Sequence, residues 1–152
     1  MLAFTFEVRV TVKTPINRRL LARIATVASR VLPPLRGKTV SLAVVGDTTM
    51  ARLHRQYRHR PGLTDVLSFS QTDRHWPTGE PTLLGEIVID YPQVVRQARR
   101  AGQTVEAELS LLVIHGLIHL LGHDHERSRR EAAVFNRLHQ TMLRQLGFSP
   151  VI

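Results

Sequence analysis

His115-Gly116-Leu117-Ile118-His119-Leu120-Leu121-Gly122-His123-Asp124-His125 places four of the chain's 8 histidines inside eleven residues. His115 and His119 stand four apart in a strongly apolar run, so on a helix their rings leave one face within reach of a single ion. Gly122 takes the left-handed conformation that ends such a helix and lets the chain double back. If the returning segment is extended, His123 and His125 point opposite ways and only one reaches the ion. His125 is the third ligand on this reading, and His123 faces the surface or a substrate. Burying three imidazoles costs free energy unless their nitrogens find partners, and a metal satisfies all three together. Three neutral nitrogen ligands without a thiolate suit zinc best, with nickel, cobalt and copper also able to bind. They leave a coordination position open, which points to catalysis rather than structural stapling.

The spacing His-x3-His-x5-His, with glycine three places after the second histidine, equals that of the metzincin peptidases. Those enzymes carry glutamate directly after the first histidine as general base, whereas this chain has Gly116. A peptidase without that base loses on the order of two or more decades of proton-transfer catalysis. The missing side chain is also expected to open space beside the metal.

The rest of the composition points the same way. The chain has 152 residues, 43% of them hydrophobic, enough for one core, and 1–152 is read as a single domain. Its 21 cationic side chains against 12 acidic ones give a formal charge of +9, and only Lys13 and Lys38 among the cations are lysines. Guanidinium forks pair bidentately with phosphate and stack on bases, so an arginine-dominated excess points to a polyanionic partner. The absence of cysteine excludes thiolate metal sites, disulfides and cysteine nucleophiles. Glu7 and Arg9 interrupt the first residues where a signal peptide needs an apolar core, and no apolar run approaches the ~20 residues that cross a bilayer. A soluble cytoplasmic protein without membrane partners is expected.

Alternation from Ala3 to Val12 predicts a half-buried strand with Phe4, Phe6, Val8, Val10 and Val12 inward. Thr14-Pro15 reads as a helix start, and Ile16, Leu20, Ile24, Val27 and Val31 form a stripe that stops at Pro33-Pro34. A strand over 39–45 follows, with Gly46-Asp47 capping a short helix to about Tyr57 and a basic loop from His59 to Thr64. Strands over 65–70 and 83–90 flank a polar segment containing Pro77, Gly79 and Pro81, a plausible mobile connection. Asp90 caps a helix to about Ala101, a second runs from about Val105 to Leu121, and Ser128 with Glu131 forms a capping box that opens the last, ending at Gly147. The order predicts an α+β domain with one small mixed four-stranded sheet and about five helices.

HGLIHLLGHDH, together with Leu53, Tyr57-Arg58, Thr64-Asp65-Val66-Leu67-Ser68-Phe69 and Leu84-Gly85-Glu86-Ile87, resembles the YbeY-type endoribonucleases, the bacterial rRNA maturation factors. The matching residues span about 53–125. The resemblance implies a zincin-like fold, one zinc per chain on His115, His119 and His125, and cleavage of single-stranded RNA in maturation of the 3′ end of 16S rRNA and in ribosome quality control. It also implies that Arg58 is functionally important, and ribosomal RNA and ribosomal proteins are the implied partners. This chain departs from the family pattern at His54, where Asn is usual, at His123, where Tyr is usual, and at Glu86, where Asp is common.

Arg58 and His115 are the candidate catalytic residues. Arg55, Tyr57, Arg60 and Arg127 are candidate RNA contacts, since guanidinium groups and aromatic rings hold phosphates and bases. Arg52, Arg55, Arg58 and Arg60, interleaved with His54, Tyr57 and His59, read either as such a surface or as a solvated face. Asp124 reads equally as an acceptor that orients a ligand imidazole or as a turn residue. Glu86 is an outward strand residue or a base near the metal, and Thr64 and Ser68 are as open. Arg127, Arg129 and Arg130 extend an RNA track or cap a helix. A metzincin-like metallopeptidase fits the histidine spacing but neither Gly116 nor the arginine excess. A non-catalytic zinc-containing ribosome assembly factor fits the charge but leaves the open coordination position unexplained.

Overall fold

Residues 3–14, 16–62, 64–70 and 82–149 are described by the computed structural model. The order of elements is β1 (Thr5–Val10), α1 (Arg18–Val31), a 3-10 turn (Pro33–Leu35), β2 (Thr39–Val45), α2 (Asp47–Arg58), β3 (Val66–Ser70), β4 (Leu83–Asp90), α3 (Tyr91–Ala101), α4 (Val105–Leu120) and α5 (Arg129–Gln145). The strands form one mixed sheet in the order β1-β2-β4-β3. β1 and β4 flank β2 in parallel, and β3 closes the far edge antiparallel to β4. The expected α+β architecture with four strands and five helices is the one observed.

Alternation along β2 and β4 sorts their side chains onto two faces. Val40, Leu42, Val44, Ile87 and Ile89 enter the main core with residues of α1, α4 and α5. Ala43, Val45 and Val88 turn the other way and meet Leu67, Phe69 and Met50 under α2. α4 is apolar nearly all round because it is wrapped on every side, with Val113, Ile114, Leu117 and Ile118 fully buried. Thr104 caps it through a bond accepted from the Ala107 amide at 3.1 Å. Truncating Leu117 to alanine is expected to cost about 2–5 kcal/mol, as a cavity in the main core.

One expected boundary and the bonding at three expected caps differ in detail. α1 starts at Arg18 rather than at Thr14-Pro15, because the Asn17 side chain accepts from the Leu20 amide at 3.0 Å and so supplies the cap; Pro15 lies outside the described residues. Asp90 and Gly46 occupy the capping positions of α3 and α2, yet neither makes a side-chain capping bond. At α5, Ser128 accepts from the Glu131 amide at 3.1 Å, but the Glu131 carboxylate turns to Arg127, so only half of the capping box forms. The segment with Pro77, Gly79 and Pro81 also lies outside the described residues.

Candidate metal centre

The C-terminal half of α4 carries His115 and His119 one turn apart, and their Nε2 atoms converge to 3.1 Å. Gly122, at φ +90°, turns the chain where a side chain would be strained. The following turn then delivers His125. One ring nitrogen from each of His115, His119 and His125 lies within 4.8 Å of the others. Two nitrogens on one tetrahedral zinc stand ~3.4 Å apart, given Zn–N of about 2.0–2.1 Å, so the α4 pair is already close to ligand spacing. The Nδ1 atom of His125 is buried without a hydrogen-bond partner. A donor set of three converging imidazoles, one with an orphaned nitrogen, fits a divalent metal. His123 is not part of the cluster.

The electrostatics favour the ligating form. Burial pushes the His115 imidazole down to about 4, helped by the neighbouring His119, His139 and His125. Burial and His125 lower His119 as well. Both rings are therefore neutral at physiological pH, with lone pairs available to a metal.

The loop that presents His125 is tied by Arg127. Its guanidinium donates to the Gly122 carbonyl at 3.2 Å and pairs with Asp124 at 3.5 Å and Glu131 at 3.4 Å. Asp124 accepts from the Glu126 amide at 2.9 Å, so of its two readings the turn is the one realised. Arg127 thus braces the metal loop while its side chain stays largely exposed. Arg129 and Arg130 begin α5 on its exposed side.

A cleft of about 370 Å³ opens beside the triad, walled by Arg58, Ser68, Ser70, His115, His119 and Leu120. Arg58, the last residue of α2, donates to the Ser68 carbonyl at 2.7 Å and lies 4.9 Å over the Phe69 ring. Tyr57 packs edge-on against the same ring, with centroids 5.4 Å apart. The structure thus brings Arg58 and two of the histidines to one cavity. Arg55 on α2 and Arg60 just after it lie exposed, while Thr64 bonds its own strand through the Val66 carbonyl. A second cleft of about 360 Å³ lies between β1 and α1, lined mainly by apolar groups such as Phe4, Phe6 and Leu21.

One expectation needs correction. Gly116 does not open space beside the metal: a Cβ there would meet the Ile87 side chain at 2.9–3.2 Å, because this position of α4 faces the sheet. Of the two readings of Glu86, the outward strand residue is the one realised. Ile87 faces α4, so its neighbour Glu86 projects from the opposite face of the sheet, where it pairs with Arg9 at 3.2 Å. Burial raises the Glu86 carboxyl, against the pull of Arg9.

Sequence reasoning missed Phe135 and His139. Phe135 is only 3% exposed, and its ring centroid lies 4.9, 5.0 and 4.9 Å from those of His115, His119 and His125. His139 stacks behind it at 6.2 Å and donates from Nε2 to the Leu111 carbonyl at 3.1 Å. Their i, i+4 spacing on α5 was the available signal. Gly85 was missed as well: a Cβ there would collide with the Phe69 carbonyl oxygen and lie 2.8 Å from Leu120, so only glycine lets β3, β4 and the end of α4 approach this closely.

An α+β fold with a mixed sheet presents, from a buried helix and the turn after it, three histidines that could hold one metal ion beside a cleft. Comparison with known proteins places the architecture more narrowly. The family model described as Endoribonuclease YbeY matches residues 6–147, and the chain belongs to this family. An Endoribonuclease YbeY from Roseiflexus sp. (strain RS-1) is 40% identical over 114 residues, covering 72% of this chain and 71% of the relative. Another, from Symbiobacterium thermophilum, is 37% identical over 139 residues, covering 88% of each. The solution structure of TM1509 from Thermotoga maritima superposes with a TM-score of 0.59 at 25% identity, covering 91% of both chains.

Proposed function

We propose that this protein is a zinc-dependent endoribonuclease that cleaves single-stranded RNA, acting in rRNA maturation at the 3′ end of 16S rRNA and in ribosome quality control. The observation that carries the reading is the convergence of three imidazoles on a cleft whose other wall is Arg58. Family membership supplies the reaction class, since the relatives are named endoribonucleases. No helix among the described residues is long and apolar enough to cross a membrane, and we place the activity in the cytoplasm with ribosomal RNA as substrate.

His115, His119 and His125 would hold the ion. Zinc bound there supplies Lewis-acid polarisation of a phosphoryl oxygen and acidifies a water. The chain's own residues do the rest. Arg58, exposed yet oriented by Ser68 and Phe69, presents its fork to phosphate oxygens as negative charge builds on them. Tyr57, half-buried against the Phe69 ring, gives the adjoining surface an aromatic edge on which a base can stack. The exposed arginines of α2 continue this surface away from the metal. The peptidase alternative loses further ground, because the position of its glutamate is here filled by packing of Gly116 on Ile87.

The test is a defined single-stranded RNA incubated with the zinc-loaded full chain, with product ends mapped chemically and casein as a parallel substrate. RNA cut internally and casein left intact is the expected result; the reverse pattern would restore the peptidase.

A further inference from the structure

α5 contributes no ligand to the triad, yet it is the element that touches all three ligands. The Phe135 ring sits within 5.0 Å, centroid to centroid, of each of the three imidazoles, at interplanar angles of 56–66°. Rings meet this way when the positive edge of one meets the negative face of another, and the contact fixes their tilt. His115 and His119 come from a helix, whereas His125 comes from a turn beyond a left-handed glycine. Nothing in those two backbones by itself sets the angle between the helix-borne rings and the third. Phe135 does, as the one side chain common to them among the described ring contacts.

His139, one turn further along α5, ties this floor to the helix it serves. Its Nε2 must carry the hydrogen, because its partner, the Leu111 carbonyl, can only accept. Leu111 is four residues before His115, so the same carbonyl also receives the His115 amide in the helical ladder. The His139 ring stands perpendicular to His115 at 6.0 Å and nearly parallel to Phe135, at 25°. One imidazole thus fixes both the ring below the triad and the turn of α4 that carries its first ligand.

We propose that Phe135, backed by His139, is the positioning residue of the metal centre: its ring holds the three imidazoles in their binding arrangement before a divalent cation enters. The inference rests on the metal reading above and goes beyond it, assigning preorganisation to an apolar side chain on a helix without ligands. Groups that orient metal ligands typically change affinity 10- to 100-fold when removed. An apolar floor also keeps water from the inner side of the ion, leaving the cleft as its open side.

The experiment measures zinc affinity of the full chain by competition with a chromophoric chelator, together with the visible absorption of the cobalt(II)-substituted protein. Phe135→Leu keeps an apolar group of similar reach but has no flat ring, and Phe135→Met runs beside it to fill more of the vacated volume. Ile24→Ala on α1, fully buried with no ring contact to the triad, controls for lost stability. The parent is expected to bind one zinc. Both Phe135 variants should bind 10- to 100-fold more weakly with altered cobalt bands, while Ile24→Ala stays within about threefold of the parent with unchanged bands. His139→Gln, which retains an N–H donor for Leu111, should lose less affinity than His139→Ala. A parent that binds zinc alongside Phe135 variants of equal affinity and spectrum overturns the positioning role and leaves the metal site standing. An equal loss in Ile24→Ala overturns it too, by assigning the effect to general stability. A parent that binds no zinc overturns the metal reading itself, and this inference with it.

Discussion

The imidazoles at the end of α4 and the carboxyl of Asp90 at the end of β4 are both polar groups taken out of water without enough protein partners, but their surroundings differ. Three like groups converge at the triad, His115 and His119 among them neutral at physiological pH, and their nitrogens face one another. Only a cation satisfies all three together. Asp90, with no exposed surface and neither carboxyl oxygen hydrogen-bonded, meets a single neighbour of its kind, Asp47. Asp47 is already held by Arg96 through a fork at 2.8 and 3.1 Å, which keeps its own carboxyl below the ordinary value. What remains for Asp90 is a proton: burial, then Asp47, pushes its carboxyl up to about 7. Counting unpartnered buried atoms finds both places; the number and kind of neighbours separates a metal site from a protonation site.

The contrast breaks most sharply at His119. His119→Ala should lower bound zinc from about one per chain to under ~0.1 and cut RNA cleavage by about 10³-fold or more, because two remaining imidazoles make a poor site. Elemental analysis checks the first figure and a gel assay the second. Full zinc in that variant would place the ion elsewhere.

Arg58 asks whether the metal side serves phosphate chemistry at all. Arg58→Lys should slow cleavage roughly 10- to 1,000-fold while RNA affinity stays within a few fold, since an ammonium cannot reproduce the fork. Single-turnover kinetics beside a binding titration separate the two. Equal losses would reduce Arg58 to a phosphate anchor.

The proton side is tested by Asp90→Asn. The folded carboxyl binds its proton more tightly than the unfolded one, so its contribution is fully present below the unfolded value of 3.8 and is lost as pH rises through about 7. The opposite tendency of Asp47 acts below 3.8, outside this window. Relative to the parent, the variant should therefore gain on the order of 1 kcal/mol or more between pH 4.5 and pH 8 in urea unfolding. A difference independent of pH would mean that Asp90 is not protonated in the folded state.

The smallest effect is expected at Arg127. Its pairs with Asp124 and Glu131 involve a side chain 59% exposed, so Arg127→Gln should weaken zinc only about two- to fivefold by loosening the turn that carries His125. No change would show that Gly122 alone shapes this turn.

Much of the architecture was legible because it follows from periodicity. The alternation of β1, the apolar run of α4 and the left-handed glycines at 122 and 147 fix elements locally, and the three ligands follow from their spacing along the chain. What was not legible depends on which faces meet. Gly116 could not be seen to lie on Ile87, nor Glu86 to face away from the histidines, until the parallel register of β2 and β4 and the seat of α4 were known. Phe135 reads in sequence as one more core residue of an amphipathic helix, and its place under the triad appears only when α5 lies across α4. Asn17 took the cap from Thr14 through a short-range bond that sequence allows at either position.

Zinc dependence of RNA cleavage is the most direct measurement. The chelated full chain should cut no single-stranded RNA, and stepwise return of zinc should restore cleavage linearly until it levels at one equivalent per chain, with His119→Ala flat throughout. Cleavage at the full rate by metal-free protein, or an equal response of His119→Ala to added zinc, would contradict it.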